Sequence, residues 1–219
     1  MGSVIGDLLP LAVGVAISPI PIVAVILMLL SRNASGAGTG FATGWVVGLL
    51  IATGVFLLLS GSIDNSHSSD PKPAVSWVRI ALGVLLLALA VKQWRSRTDT
   101  SAPGWMQALD SVTFVKAAGL GFALSAVNPK NLLLCVSAGV AIGTGGLSGP
   151  AEVGAVLIYT ALAATTVLVP AIGYRLAADR VRGSLESLKN WLQANNHMVM
   201  AIVMLVMGAV VLGKGIGGL

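Results

Sequence analysis

The stretch SAVNPKNLLL, Ser125 to Leu134, places a proline, a lysine and two asparagines inside an otherwise apolar segment. Proline lacks the backbone N–H that a helix interior needs, and its ring clashes with the preceding turn. A lysine at the centre of a bilayer costs roughly 2.5–3.5 kcal/mol on insertion scales. A mostly apolar chain that keeps both residues side by side must have a structural or functional use for them.

The composition is that of an integral membrane protein. Of 219 residues, 56% are hydrophobic and only 10% are charged, whereas soluble domains carry about 25% charged residues. The net charge of +5 comes from basic residues between apolar segments, which is typical of topology determinants and not of a nucleic-acid-binding surface. The single cysteine, Cys135, excludes an intramolecular disulfide and a thiolate metal cluster, and we interpret it as a packing residue.

The apolar segments predict an all-α integral membrane fold with six transmembrane helices, because a bilayer core needs about 20 apolar residues per helix. The predicted spans cover about 5–30, 38–61, 75–94, 113–143, 151–177 and 197–217. Polar segments divide the chain into a three-helix unit, 1–95, a cytoplasmic linker with an interfacial helix, 96–112, and a second three-helix unit, 113–219.

Lysine and arginine are distributed unequally between the two sides of the predicted bundle. Three lie on one side, Lys72, Arg79 and Lys214, and nine lie on the other. Because cytoplasmic loops carry the excess of basic residues, the side with nine is predicted to be cytoplasmic and both termini to be extracytoplasmic. The nine are Arg32, Lys92, Arg95, Arg97, Lys116, Arg175, Arg180, Arg182 and Lys189.

Two linkers predict amphipathic helices with a tryptophan on the apolar face, which suits the headgroup layer of a membrane. An ordinary loop helix packed on the bundle is the alternative for both. The apolar faces consist of Trp105, Met106, Leu109 and Val112 in the first linker, and of Leu185, Leu188, Trp191 and Leu192 in the second.

Glycines recur at intervals of four residues in three of the predicted spans. Small residues at this spacing let helix backbones approach closely. The pattern predicts tight packing within or between protomers and is compatible with a homo-oligomer. The glycines are Gly36, Gly40, Gly44 and Gly48, then Gly139 and Gly143, then Gly213 and Gly217.

The second half of the chain resembles the first when it is shifted by 110 residues. Pro19 then aligns with Pro129, Ser18 with Asn128, and Gly44 with Gly154. With three spans in each half, the halves cross the membrane in opposite directions. This predicts an inverted-topology repeat, an arrangement found in many transporter folds.

The two proline breaks fall in the first span of each half, so the first and fourth helices are predicted to be broken. Matched breaks of this kind indicate a binding site near the membrane midplane. A polar residue before each proline favours an N-cap followed by proline at the first helical position, so two positive helix ends would face the site. The candidate substrate-binding residues are Ser18, Pro19, Pro21, Asn128, Pro129, Lys130 and Asn131.

Each of these residue types also has an ordinary explanation. The prolines could be packing kinks, Lys130 could extend to the membrane interface, and the asparagines could form interhelical hydrogen bonds without binding a ligand.

The positions of the acidic residues and the lack of catalytic motifs in the sequence argue against several functions. All eight acidic residues lie in loops or near span ends, whereas a cation exporter or a carboxylate proton relay usually has one in mid-membrane. The positive Lys130 favours a substrate with an anionic or strongly polar group. No HExxH and no GxxxxGK[ST] occurs, and His67 and His197 lack ligand spacing. The sequence therefore predicts no enzyme, no metal site and no cofactor.

Three segments carry a resemblance to known proteins: AISPIPIVAVILMLLS, GWMQALDSVTFVKAAGLGFALSAVNPKNLLL and WLQANNHMVMAIVMLVMGAVVLGKGI. They resemble the lysine-exporter (LysE) superfamily of six-span transporters, and most closely its GAP family of mycobacterial peptidoglycolipid- and sulfolipid-addressing proteins. The middle segment is the most specific, since it joins Trp105, Asp110, Gly121 and the Asn-Pro-Lys triplet in order.

The resemblance implies export or addressing of actinobacterial envelope glycolipids, and a location in the plasma membrane. One position departs from the amino-acid exporters of the superfamily, which have glycine where Ile20 separates Pro19 from Pro21; this argues against amino-acid export. The expected partners are membrane lipids or a glycolipid substrate, with lipid-export proteins as further partners.

Two alternative functions stay open at this point. One is a small-solute exporter of the same superfamily, for an amino acid or an ion. The other is a scaffold that docks lipid-export machinery without transporting anything itself, in which case the basic loops at 92–116 and 175–189 would matter more than Lys130.

Overall fold

The structure, a computed structural model, describes residues 1–64, 73–98 and 112–219, and every regular element within these ranges is a helix. The helices are α1 (Gly2–Ala16), α2 (Pro19–Leu30), α3 (Ala34–Asp64), α4 (Pro73–Arg95), α5 (Phe114–Phe122), which continues into a π-helical segment (Ala123–Val127), α6 (Pro129–Gly143) and α7 (Gly149–Ile216).

Several of these helices are long and apolar enough to cross a membrane. Within the described ranges α3, α4 and α7 qualify alone, and two bent pairs raise the number to five if each pair is one span. Large apolar side chains face outward, among them Val115 at 76%, Val169 at 65% and Leu176 at 81% exposure. An apolar exterior of this extent marks a surface that meets lipid or protein, so the fold is that of an all-α membrane protein.

The chain is broken at both predicted prolines. The helix α1 ends at Ala16 and α2 starts at Pro19, with a bend of 54° between them. The π-helical segment ends at Val127 and α6 starts at Pro129, with a bend of 62°. Proline is well suited to both starts, because the first helical position needs no N–H.

The end predicted for the fifth span, at residue 177, coincides with a break in the last helical element. The helix α7 runs through 68 residues, and the segment at 178–196 that was expected to link two spans is helical. One residue interrupts it, Ala177, with φ −153° and ψ 55°. The predicted fifth span, 151–177, thus ends at this residue, and the helix that follows it contains the second predicted amphipathic segment.

The second amphipathic segment lies on α7, and only part of its apolar face is buried. Leu185 and Leu192 are buried, whereas Leu188 is 40% and Trp191 is 56% exposed. One edge of the face therefore packs on the bundle and the other edge points outward. The first amphipathic segment lies outside the described residues except for Val112, which is buried.

The glycines of α3 bring its backbone against α5. A Cβ added at Gly40 would overlap the carbonyl of Phe114, and one at Gly44 would overlap that of Ala118. Gly121 on α5 has the same relation to the backbone of α3. These glycines are thus covered by the same chain, and the contact holds α5 in place beside the second break.

The other glycine positions differ. Gly139 and Gly143 pack closely on the last turns of α3, whereas Gly213 has open space around it. Gly154, which the repeat aligns with Gly44, meets only the end of the Met1 side chain. The aligned glycines therefore do not have equivalent packing.

The two predicted three-helix units pack against each other along most of their helices. The helix α3 packs on α5 and α6, α1 packs on α6 and α7, and α4 packs on α7. The contact between α4 and α7 is again close, because Gly83 lies on Leu212 and Gly208 lies on Leu87. This interleaving brings the first break, in one unit, beside the second break, in the other.

Candidate functional site

The first break leaves a backbone carbonyl without its helical partner. Ser18 has extended backbone angles, φ −110° and ψ 104°, and two prolines follow within three residues. In a continuous helix the Ile17 carbonyl would accept from the N–H of residue 21, but residue 21 is proline. The Ile17 carbonyl is therefore available to another donor.

The second break leaves a carbonyl in the same condition. The Asn128 N–H bonds the Ala123 carbonyl at 3.1 Å, five residues back. In this π-helical register the Leu124 carbonyl would pair with residue 129, which is proline. Single π turns of this kind are frequent at functional sites.

The predicted N-caps are confirmed at one break and corrected at the other. The Asn128 side chain accepts from the Lys130 backbone N–H at 3.1 Å and so caps α6. Ser18 occupies the cap position of α2, but its hydroxyl makes no capping bond. That hydroxyl points across to the second break instead.

A buried chain of hydrogen bonds joins the two breaks. Lys130 Nζ donates to Ser18 Oγ at 2.6 Å and to the Ile17 carbonyl at 3.3 Å. Ser18 Oγ donates to Asn131 Oδ1 at 3.1 Å, and Asn131 Nδ2 donates to the Leu124 carbonyl at 2.9 Å. Two side chains from the first turn of α6 thus satisfy both carbonyls that proline leaves free.

The burial of these side chains decides between two interpretations of the lysine. Lys130 and Asn131 are each 1% exposed and Ser18 is 2% exposed. An extended lysine that reached the interface would expose its amino group, so that alternative is wrong for Lys130. The alternative for the asparagines is partly correct, because Asn131 does form a hydrogen bond between separate helices.

Among the described residues of the site, Lys130 carries the only full charge, whereas the partial charges around it are of both signs, because the Ile17 carbonyl is negative. In the part of the chain that the structure describes, the ion pairs join Arg182 to Glu186 and Lys214 to Asp7, and none involves Lys130. The N-termini of α2 and α6 meet beside it, and each carries partial positive charge. An ammonium group has three donors, of which two are used here. This arrangement favours an anionic or strongly polar ligand group.

Thr166 belongs to the site, although the sequence interpretation missed it. Its Oγ1 donates to the Ala16 carbonyl at 2.7 Å, from α7 to the last residue of α1. The signal was a threonine pair, Thr165 and Thr166, near the middle of the predicted fifth span and so at the expected depth of the breaks. A hydroxyl there satisfies a carbonyl that the first break exposes.

The remaining predicted residues form or cap the helix starts at the two breaks, and they do not line a cavity among the described residues. Pro19 and Pro21 are buried, Asn128 is half-buried and Pro129 is exposed on the outside. None of the seven candidates lines the cavities of about 610, 260 and 20 Å³ that the described residues bound. The three side chains of the hydrogen-bonded site are closed off from the surroundings, since none is more than 2% exposed.

Cys135 lies one helical turn beyond Asn131. It is completely buried and accepts a hydrogen bond from the Tyr159 hydroxyl, with an O–S distance of 3.7 Å. Its interpretation as a packing residue is consistent with this burial, and the tyrosine adds a polar contact between α6 and α7.

Comparison with known proteins assigns the chain to a family. The family model described as Sap, sulfolipid-1-addressing protein, matches residues 8–217. The chain belongs to this family. The match includes both breaks and every residue of the hydrogen-bonded site. No curated protein and no solved structure matches the chain, so membership of the sulfolipid-1-addressing family is the relation that these comparisons support.

Proposed function

We propose that this protein is a plasma-membrane transporter that addresses an anionic envelope glycolipid, of the sulfolipid type, to the cell surface. The observation that carries the proposal is the buried contact between Lys130 and Ser18, which joins two broken helices with no carboxylate nearby among the described residues. The family description, which names sulfolipid-1, supports the choice of an anionic lipid.

Six spans follow if α7 crosses the membrane twice. A straight helix of 68 residues would be about 100 Å long at 1.5 Å per residue, roughly three times the thickness of a bilayer core. Its buried residues cluster at both ends, from Ala155 to Val167 and from Met200 to Gly215. Two spans from α7, together with α3, α4 and the two broken helices, would complete the inverted repeat.

The proposed binding step exchanges neutral partners of Lys130 for a charged one. A sulfate or phosphate oxygen would take the positions of Ser18 Oγ and the Ile17 carbonyl around Nζ. An anionic oxygen would add a Coulomb attraction to the ammonium that neither neutral acceptor supplies, which favours this exchange. The lipid tails would stay in the bilayer while α1 and α2 separate from α6.

The orientation follows from the basic residues. The side with nine lysines and arginines would be cytoplasmic, so both termini would be extracytoplasmic. The headgroup would then cross from the Arg175 side of the bundle, past Lys130, to the side of Lys214.

The test is a comparison of surface lipids in the native host. The gene is deleted and complemented with wild type, Lys130→Met, Lys130→Arg or Lys116→Met, and surface-extractable and cell-retained glycolipids are measured by mass spectrometry. Lys116 is an exposed lysine on α5 and serves as the matched control. Methionine keeps much of the length of Lys130 without its charge, and arginine keeps the charge.

Wild type and Lys116→Met should restore a missing anionic lipid class to the surface. Lys130→Met should lower that restoration at least about ten-fold, since hydrogen bonds to charged groups contribute about 1.5–3 kcal/mol. Protein amount and thermal unfolding in detergent establish that each variant is folded.

Other outcomes point to the two alternatives. Unchanged surface lipids with a small solute retained in the cell would replace lipid addressing by small-solute export. Full activity of Lys130→Met, with loss of activity when Arg180, Arg182 and Lys189 are reversed in charge, would replace transport by a scaffold that docks lipid-export proteins.

A further inference from the structure

A groove of about 610 Å³ lies on the outside of the bundle, away from the hydrogen-bonded site. It runs between the start of α3 and the middle of α7, with the end of α2 at its base. Its size is within the range of pockets that hold small ligands, about 300–1,000 Å³. The apolar part of its wall includes Leu29, Ala42, Val46, Leu168, Ala171 and Ile172.

One end of the groove is polar and carries a cation. Arg175 Nη2 donates to Ser35 Oγ at 3.3 Å and so bridges α7 and α3. Thr39 and Thr43 also line the groove, but their hydroxyls donate to carbonyls of their own helix, at 2.5 and 2.9 Å. The guanidinium of Arg175, which has five N–H donors, and the Tyr174 side chain therefore supply the remaining donors of the groove, and Arg175 is the one that carries a charge.

The helix break at Ala177 lies between Arg175 and the nearest following acidic residue, Asp179. Arg175 and Asp179 are four residues apart and would be neighbours on a continuous helix. The non-helical angles of Ala177 lie between them, and they form no ion pair in the structure. The positive charge at the groove is thus uncompensated by a carboxylate among the described residues.

We infer that this groove binds an anionic acyl lipid of the surrounding leaflet, with its phosphate or sulfate group on Arg175 and one acyl chain along the apolar wall. Basic pockets between transmembrane helices on the cytoplasmic side are known to hold anionic lipid headgroups. Arg175 lies on the side with nine basic residues, where such a pocket would be. Binding here needs neither export nor Lys130, so it stands apart from the proposed function.

The test measures lipid retention on the full-length protein. Protein purified in detergent is titrated with phosphatidylglycerol or phosphatidylcholine, and bound lipid is counted by native mass spectrometry. The variants are Arg175→Gln, which removes the charge, and Ala171→Phe, which fills the apolar wall. The matched control is Arg180→Gln, an exposed arginine five residues further along the chain that does not line the groove.

Wild type and Arg180→Gln should retain phosphatidylglycerol in preference to phosphatidylcholine. Arg175→Gln should weaken retention of phosphatidylglycerol about five-fold, as expected for one basic residue at an anionic headgroup, and Ala171→Phe should weaken retention of both lipids. Equal retention of the two lipids by wild type would overturn the inference. So would an unchanged preference in Arg175→Gln, and thermal unfolding of each variant shows whether it is folded.

Discussion

Lys130 and Ser18 are 112 residues apart in sequence, yet Nζ of the lysine donates to Oγ of the serine at 2.6 Å. Each residue stands beside a proline that breaks its helix, and each helix start contributes one partner to the contact. The lysine also reaches the carbonyl that Pro21 leaves free. Pro19 thus begins the new helix, while Pro21 creates an acceptor for the lysine of the other half.

Replacement of Ser18 tests how much this contact stabilises the fold. Ser18→Ala leaves Lys130 Nζ with one acceptor fewer and removes the donor to Asn131 Oδ1, and both atoms are buried. We expect the free energy of unfolding to fall by about 1–3 kcal/mol, measured by chemical unfolding in detergent micelles. Ser137→Ala is the matched control, because Ser137 is also buried but bonds the Leu133 carbonyl of its own helix. Equal losses for both variants would mean that the contact between the breaks contributes nothing specific.

Restoring the missing backbone donors should straighten the first broken helix. In the double variant Pro19→Ala with Pro21→Ala, the new N–H of residue 21 competes with Lys130 for the Ile17 carbonyl. Spin labels at the exposed positions Leu9 and Arg32 should then move apart by about 3 Å, from a 54° bend to a straight helix.

Pro10→Ala is the control for that measurement, because Pro10 lies inside α1, where the helix is not broken. Its label distance should stay unchanged. If the double variant also kept the wild-type distance, packing against α6 and α7 would be the cause of the bend, and the prolines would not.

Two glycines on α3 should respond in opposite ways to alanine. A Cβ at Gly44 would overlap the Ala118 backbone, whereas Gly54 has open space around it. Gly44→Ala should lower stability by about 1–3 kcal/mol, as overpacking does. Gly54→Ala should raise stability by up to about 1 kcal/mol through helix propensity. Thermal unfolding in detergent distinguishes them, and a tolerated Gly44→Ala would refute the close contact between α3 and α5.

The ion pair between Asp7 and Lys214 should show modest, salt-dependent coupling. Their atoms are 2.7 Å apart, and the side chains are 42% and 35% exposed. A double-mutant cycle of unfolding free energies with Asp7→Asn and Lys214→Gln should give a coupling of up to about 1 kcal/mol, which decreases at high salt. The exchanged pair, Asp7→Lys with Lys214→Asp, should recover most of the loss. Additive single losses would show that the pair is not coupled.

Local chemistry made part of this architecture predictable. Pro19 and Pro129 break their helices because proline has no N–H, whatever surrounds it. Asn128 caps α6 because its side chain reaches a backbone donor two residues away. The apolar segments and the polar residues between them likewise predict a membrane protein. A bilayer requires apolar side chains on a spanning helix, however the helices are arranged.

Partners that are distant in sequence could not be predicted in the same way. The role of Thr166 depends on where α7 meets α1. The glycines of α3 allow a close backbone contact only because α5 packs against them. The amphipathic helix around residues 185–192 was predicted, but which of its apolar side chains are buried was not, because that depends on the helices beside it. The equivalence of Gly44 and Gly154 in the repeat did not extend to their packing.

By itself, the sequence determined the two proline breaks, the polar residues beside them and the apolar character of the surrounding helices. Only the tertiary structure decided that Lys130 turns inward to Ser18 and Ile17. The physical reason is that the position of a proline in the sequence determines only which carbonyl loses its hydrogen-bond partner. Which side chain replaces that partner depends on how the other half of the chain packs against the break.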